Sequence, residues 1–201
     1  MHRVAARLLP LLLGLSFVIG GCTNDTDESA TDLPDSAAET AEVPLMPDEV
    51  GAPPEGLHDL PDGIMPFDDI VIGGQPTEAH LKAARDAGFQ TVVNLRPDDE
   101  FDDFDEQAVV EDLGMRYVHI SVADENDITA ENAAALAAIF DDPDARPALL
   151  HCSSGNRVGA LFAARAHLLN DDDPDVALEL GKQLGLTDLE APLRTTWTED
   201  R

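Results

Sequence analysis

From residue 69 onward, short apolar runs alternate with stretches of helical period, and that alternation leaves few folds open. "DIVIGGQP" (69–76) reads as a strand stopped by a Gly-Gly pair, and "TEAHLKAARDAGFQ" (77–90) as a helix with Thr77 as N-cap and Gly88 as stop. "TVVNL" (91–95) is a buried strand followed by the loop "RPDDE" (96–100). "FDEQAVVEDLG" (104–114) is a helix ending at Gly114, "RYVHISV" (116–122) a strand, and "ADEND" (123–127) a loop. "TAENAAALAAIF" (129–140) is a second Thr-capped helix, "ALLHC" (148–152) the last strand, and two or three helices close the chain. Strands separated by helices predict an α/β fold: a mostly parallel central sheet of four to five strands with helices on both faces. Ligands of such sheets bind outside the carboxyl ends of the strands. The loops 96–100, 123–127 and 152–157 all start there and are expected to converge.

The last of these loops carries the most chemistry. In "ALLHCSSGNRVGALFAARAHLL" (148–169) a strand ends in His151-Cys152, a small polar loop follows, and Arg157 opens a helical pattern. A loop that leaves a strand and enters a helix turns successive backbone N–H groups inward, and the helix start adds partial positive charge. Gly155 permits a backbone conformation that a side chain would oppose. Ser153 and Ser154 are small enough to keep the cradle open, and the Arg157 fork matches an oxyanion. The field that holds an anion also stabilises a thiolate at Cys152. His151 either donates a hydrogen bond that supports the sulfur or is a satisfied core histidine, and Cys152 itself has the alternative of a buried structural thiol. Arg96, at the end of a neighbouring strand, is a second anion contact or a surface charge paired with Asp98 or Asp99.

The amino terminus has a different character. "MHRVAARLLPLLLGLSFVIGGC" has Arg3 and Arg7, an apolar core over 8–19, then Gly20-Gly21-Cys22. That is the three-part layout of a secretory signal, too short and wrongly flanked to span a membrane as a helix. Its end resembles a bacterial lipobox, which makes residues 1–21 a lipoprotein signal and Cys22 the lipidated first residue of the mature chain. The expected location is the cell envelope, anchored by lipid. Thr23 in the position after that cysteine favours the periplasmic face of the outer membrane if the cell is Gram-negative. Residues 23–60 hold eleven acidic residues, five prolines and no Lys or Arg, so 22–60 is expected to be a disordered acidic linker and 61–201 the folded domain. With Cys22 acylated, Cys152 is the only thiol left, and no intramolecular disulfide can form.

The net charge is −29, from 41 acidic against 12 basic residues, and only Lys82 and Lys182 are lysines. That field repels polyanions and leaves no basic, aromatic-studded patch, which argues against nucleic acid as a partner.

The segments "GGQP" (73–76), "GFQTVVNLRPDDE" (88–100), "GMRYVHISV" (114–122) and "LLHCSSGNRVGAL" (149–161) resemble bacterial proteins of the tyrosine-phosphatase-like family, also called beta-lactamase-hydrolase-like phosphatases. More distantly, they resemble atypical dual-specificity phosphatases. The resemblance covers 66–197 and implies a Cys-phosphatase-like fold that needs no metal or cofactor. It implies Cys152 as nucleophile, Arg157 and the 153–156 loop (Ser153, Ser154, Gly155, Asn156) as holders of the phosphoryl oxygens, and Asp124 as general acid, with Glu125 and Asp127 as near alternatives. Its partner would be a phosphorylated small molecule or protein. Two departures stand out. Four residues separate Cys152 from Arg157 instead of the common five, and Val158 replaces the hydroxyl residue that usually follows the arginine. The short spacing also resembles the loop of rhodaneses, which carry a persulfide. A sulfurtransferase and a non-catalytic anion- or phosphoprotein-binding module therefore stand beside the phosphatase.

Overall fold

The apolar runs pair side by side, and the three central ones are buried on both faces beneath helices. The computed structural model describes residues 51–67, 69–100 and 103–199. The signal sequence, Cys22 and the linker up to residue 50 lie outside the described residues.

The strands are β1 (Ile64–Phe67), β2 (Ile70–Gly73), β3 (Thr91–Asn94), β4 (Arg116–His119) and β5 (Ala148–His151). They form one sheet in the order β1-β2-β5-β3-β4, parallel throughout except for the antiparallel β1–β2 edge. The helices are α1 (Glu78–Asp86), α2 (Glu106–Asp112), α3 (Ala130–Phe140), α4 (Asn156–Ala164), α5 (Pro174–Gln183) and α6 (Glu190–Glu199). Successive strand residues point to opposite faces, and the core divides accordingly. Val71, Val92 and Leu149 pack with α1 and α2, whereas Ile70, Ile72, Val93 and Leu150 pack with α3 to α6.

The expected helix starts hold at atomic detail. The Thr77 hydroxyl accepts from the His80 N–H at 3.2 Å, and Thr129 does the same for Asn132. Both side chains take up amides that the first helical turn leaves unpaired.

The five strands agree with the expected four to five, but one of them escapes the sequence pattern and one boundary needs correction. The edge strand β1 is not apparent in the pattern, because Pro66 interrupts it; an edge is where a strand tolerates a residue without an N–H. The boundary is the start of the folded part. Gly51 pairs with Met65, and Leu57 and Leu60 are buried in the α1/α2 core, so folded structure begins at least ten residues before position 61. A composition rich in proline and acid had concealed two core leucines.

Candidate active site

The alternation of β5 sends its last side chains in opposite directions. Cys152 joins the core on the α3–α6 side, while His151 lies under α2. Both are fully buried, and Cys152 is a free thiol. The loop beyond is braced by β2: the Cys152 N–H donates to the Gly73 carbonyl at 3.3 Å, and Ser154 bridges to Gly74. This is where "GGQP" acquires a reason. A Cβ on Gly73 would stand 2.5 Å from Leu60, and one on Gly74 would stand 2.6 Å from the Ser153 carbonyl oxygen. Ser153 and Ser154 are exposed at the mouth of the loop. Gly155 has φ 82°, the left-handed conformation that favours glycine, and no side chain caps the start of α4 behind it. The leading amides of α4 thus point into the loop without a side-chain partner. Burial of Cys152 suits a structural thiol as well as a nucleophile at the floor of a cradle; the uncapped helix start and Arg157 favour the second.

Arg157, the second residue of α4, is gripped by Glu100: Nη1 donates to Oε1 at 3.0 Å and Nη2 to Oε2 at 2.6 Å. Glu100 also accepts from Arg96 Nε at 2.9 Å, and its carbonyl accepts from Arg96 Nη2 at 2.6 Å. Burial alone would raise the Glu100 carboxyl, but the hydrogen bonds from Arg157 and Arg96 outweigh it and hold it below its ordinary value. Arg96 Nη1 donates to Gln75 Oε1, Gln75 Nε2 donates to Glu106 Oε2 at 2.8 Å, and Glu106 Oε1 meets His151 Nε2 at 2.6 Å. A continuous chain of side chains thereby connects the imidazole preceding Cys152 with the guanidinium of Arg157.

Several expected residues stand elsewhere than foreseen. Arg96 is buried rather than a surface charge, and three of its N–H groups are bonded to Glu100 and Gln75; Asp98 faces His119 instead. The Asn156 side-chain oxygen accepts from the Thr187 N–H at 2.8 Å and the Leu189 N–H at 3.4 Å, so it holds the turn before α6. Asp124 is exposed and caps a short 3₁₀ turn, accepting from the Asn126 N–H and Nδ2 at 2.8 and 2.9 Å. No hydrogen bond or ion pair joins it to the Cys152 loop among the described residues. Asp127 accepts from the Ala123 N–H at 2.8 Å. Val158 is buried in the core, and Cys22 lies outside the described residues. Among the described residues, no group of three or more His, Cys, Asp or Glu side chains is arranged to hold a metal ion.

Glu100, Glu106 and Gln75 were not singled out by sequence. Their one local signal is position, since each lies in a segment that follows a strand's carboxyl end or opens a helix.

The family model described as "DSP-PTPase phosphatase fused to NAD+ Kinase" matches residues 68–188, more than half of the chain. The chain belongs to this family. It is a hydrolase of the protein-tyrosine-phosphatase-like kind, as the four quoted segments suggested. No curated protein sequence matches it. Among solved structures, it is similar to a DUF442 candidate phosphatase from Shewanella putrefaciens CN-32, with 23% identity over 73% of this chain and 97% of that one and a TM-score of 0.54. It is also similar to a candidate phosphatase from Neisseria meningitidis Z2491, with 19% identity over 63% and 92% and a TM-score of 0.50. A third is a cysteine-to-serine variant of P. aeruginosa TpbA in complex with phosphotyrosine, with 16% identity over 77% and 89% and a TM-score of 0.50. At these identities the likeness to the three structures is one of fold.

In this phosphatase the carboxyl ends of β3 and β4 also line a cleft of about 170 Å³ beside the arginine network, walled by Arg96, Phe104, Glu106, Tyr117 and His119 among others. Tyr117 is half-buried there. Burial raises its phenol, the Asn94 side-chain hydrogen bond partly offsets that, and the nearby carboxylates of Glu106, Asp98 and Asp105 raise it further.

Proposed function

We propose that the protein hydrolyses a phosphomonoester by way of a phosphocysteine intermediate. The observation that carries this reading is the start of α4: a helix terminus with no side-chain cap, three residues after the only described cysteine, with Arg157 as its second residue. The Cys152 thiolate attacks phosphorus, and the ester oxygen departs with a proton from Asp124. Water then attacks the phosphocysteine, Asp124 takes up its proton, and phosphate leaves with the thiolate restored. The amides of residues 153–157 and the Arg157 fork stabilise the charge on the equatorial oxygens. An arginine has five N–H groups. Glu100 accepts from both Nη groups of Arg157, which leaves its Nε–H and one neighbouring Nη–H as a fork for an incoming oxyanion.

The substrate class follows from charge. With 41 acidic residues against 12 basic, a single phosphoryl group held by local donors suits this site better than a polyanion. A phosphotyrosine side chain of a protein fits that description, and TpbA bound to phosphotyrosine lends it support. The mature protein works at the cell envelope, held there by lipid on Cys22.

The test is turnover by the purified chain on nitrophenyl phosphate and on thiosulfate. Phosphate release that disappears in Cys152→Ser, with no thiosulfate turnover, is the expected outcome. Sulfur transfer without phosphate release establishes the persulfide chemistry of a rhodanese in its place, and neither activity leaves an anion-binding module. For the anchor, wild type partitions to membranes and Cys22→Ser does not; a mature mass without acyl chains refutes it.

A further inference from the structure

The hydrogen bonds beneath the cradle have a direction, and one end fixes it. Arg96 can only donate, so the Gln75 atom facing it is the carbonyl oxygen. The Gln75 atom facing Glu106 Oε2 at 2.8 Å is therefore the NH₂ group, and Oε2 accepts. The second carboxyl oxygen, Oε1, lies 2.6 Å from His151 Nε2, with both side chains almost wholly buried. The other ring nitrogen, Nδ1, faces the Cys152 carbonyl oxygen at 3.4 Å, an atom that can only accept. The proton arrangement that satisfies all these groups has one hydrogen on Nδ1 and a second in the short Oε1···Nε2 bond. With that second proton on oxygen or on nitrogen the pair is neutral as a unit, as burial demands. Nδ1–H is present in both forms.

We propose that Glu106 is a positioning residue for the cradle, acting through His151: by keeping a proton in the bond to Nε2, it obliges Nδ1 to donate to the Cys152 carbonyl. The peptide unit is planar and trans, so its C=O and the following N–H point in opposite directions. A carbonyl held toward the imidazole turns the Ser153 N–H away from it, free for an oxyanion. The first amide of the loop is thus set before any ligand arrives, the preorganisation on which charge stabilisation depends. Gln75 and Arg96 complete the device by keeping the Glu106 carboxyl from turning over. The catalytic consequence rests on the phosphatase reading above; the proton arrangement does not.

Two-bond ¹H–¹⁵N spectra of the ¹⁵N-labelled full chain report which imidazole nitrogen is protonated, with His151 identified by its absence in His151→Asn. Wild type is expected to show a protonated Nδ1. In Glu106→Gln the amide oxygen must face Gln75, so its NH₂ faces Nε2; His151 remains Nδ1–H, and nitrophenyl phosphate turnover stays within a few-fold. Glu106→Leu removes the partner altogether. The imidazole then divides its hydrogen between the two nitrogens, and kcat falls by about 10–100-fold, the usual cost of losing an outer orienting group, with KM moving less. His151→Asn places an N–H near the position of Nδ1 and is expected to retain more activity than His151→Gln, which reaches Glu106 instead. A bare Nδ1 in wild type or in Glu106→Gln overturns the proposal, as does Glu106→Leu with a wild-type spectrum and kcat. If Glu106→Leu does not fold, the first two spectra decide. A chain with Nδ1–H in both but no phosphatase activity refutes the phosphatase reading while supporting the proton arrangement.

Discussion

The Glu100 carboxylate is the junction of two guanidinium groups, and replacing it by the isosteric amide in Glu100→Gln measures what that junction contributes. Oε1 accepts from Arg96 Nε at 2.9 Å and Arg157 Nη1 at 3.0 Å, and Oε2 accepts from Arg157 Nη2 at 2.6 Å. Glutamine has one acceptor oxygen, so in either orientation its NH₂ is set against a guanidinium donor. At least one bond is lost, and the others lose their charge assistance. Hydrogen bonds to charged groups contribute roughly 1.5–3 kcal/mol. The Glu100 side chain is 27% exposed and the Arg157 side chain 16%, so water takes over part of the lost solvation. A loss of about 2 kcal/mol follows, or roughly 4–8 °C in Tm for a domain of this size. The pH dependence has a definite sign. The Glu100 carboxyl is held below its ordinary 4.5 in the folded protein, so its contribution is complete above 4.5 and lost as the pH falls through the folded-state value. Thermal melts followed by circular dichroism, from neutral pH down to about pH 3, should show the gap between wild type and variant closing in acid. A gap that does not change over that range, or a variant as stable as wild type at neutral pH, refutes the reasoning.

Asp124→Asn should slow phenyl phosphate hydrolysis by about 10²–10⁴-fold and affect nitrophenyl phosphate far less, since that group leaves as a stabilised anion; equal losses on both would transfer the acid role to Asp127. Gly74→Ala brings a methyl group to 2.6 Å from the Ser153 carbonyl oxygen, so urea unfolding should show a loss of about 1–3 kcal/mol together with reduced turnover. Wild-type stability in that variant would mean that the loop yields without cost. Tyr117 is the one tyrosine of the chain, so phenolate absorbance reports it alone; the native midpoint should lie above 10.0, and higher still in Asn94→Leu. An ordinary midpoint in the folded protein would contradict the burial described for it.

How much of this could be read in advance depended on how local the cause was. β3 and β5 are legible because apolar residues must line both faces of a covered parallel sheet, whereas the expected strand 116–122 shortens to Arg116–His119 at the more exposed sheet edge. Thr77 and Thr129 announced their helices because a cap acts within three residues. The loop from Cys152 to Arg157 was legible for the same reason. Its supporting network was not: Glu100 and Arg157 lie 57 positions apart, and Glu106 and His151 lie 45 apart. With 41 acidic residues in the chain, no spacing rule distinguishes these two glutamates from the solvated ones. Leu57 and Leu60 escaped because composition averages over a window, whereas burial is decided residue by residue.

Those two leucines bear on where a recombinant fragment can be cut. The family match covers 68–188, and a gene trimmed to those limits would encode every residue from "GGQP" through Arg157. It would also discard Leu57 and Leu60 at one end and Leu193 and Trp197 at the other, all buried. Each large apolar side chain removed from the core forfeits roughly 1.5–3 kcal/mol. Four of them together rival the entire stability of an ordinary domain, about 5–15 kcal/mol. The trimmed fragment is expected to aggregate, while one that starts ahead of Gly51 and runs past Trp197 keeps both flaps of the core closed. Shared ancestry and cooperative folding have different borders in this chain.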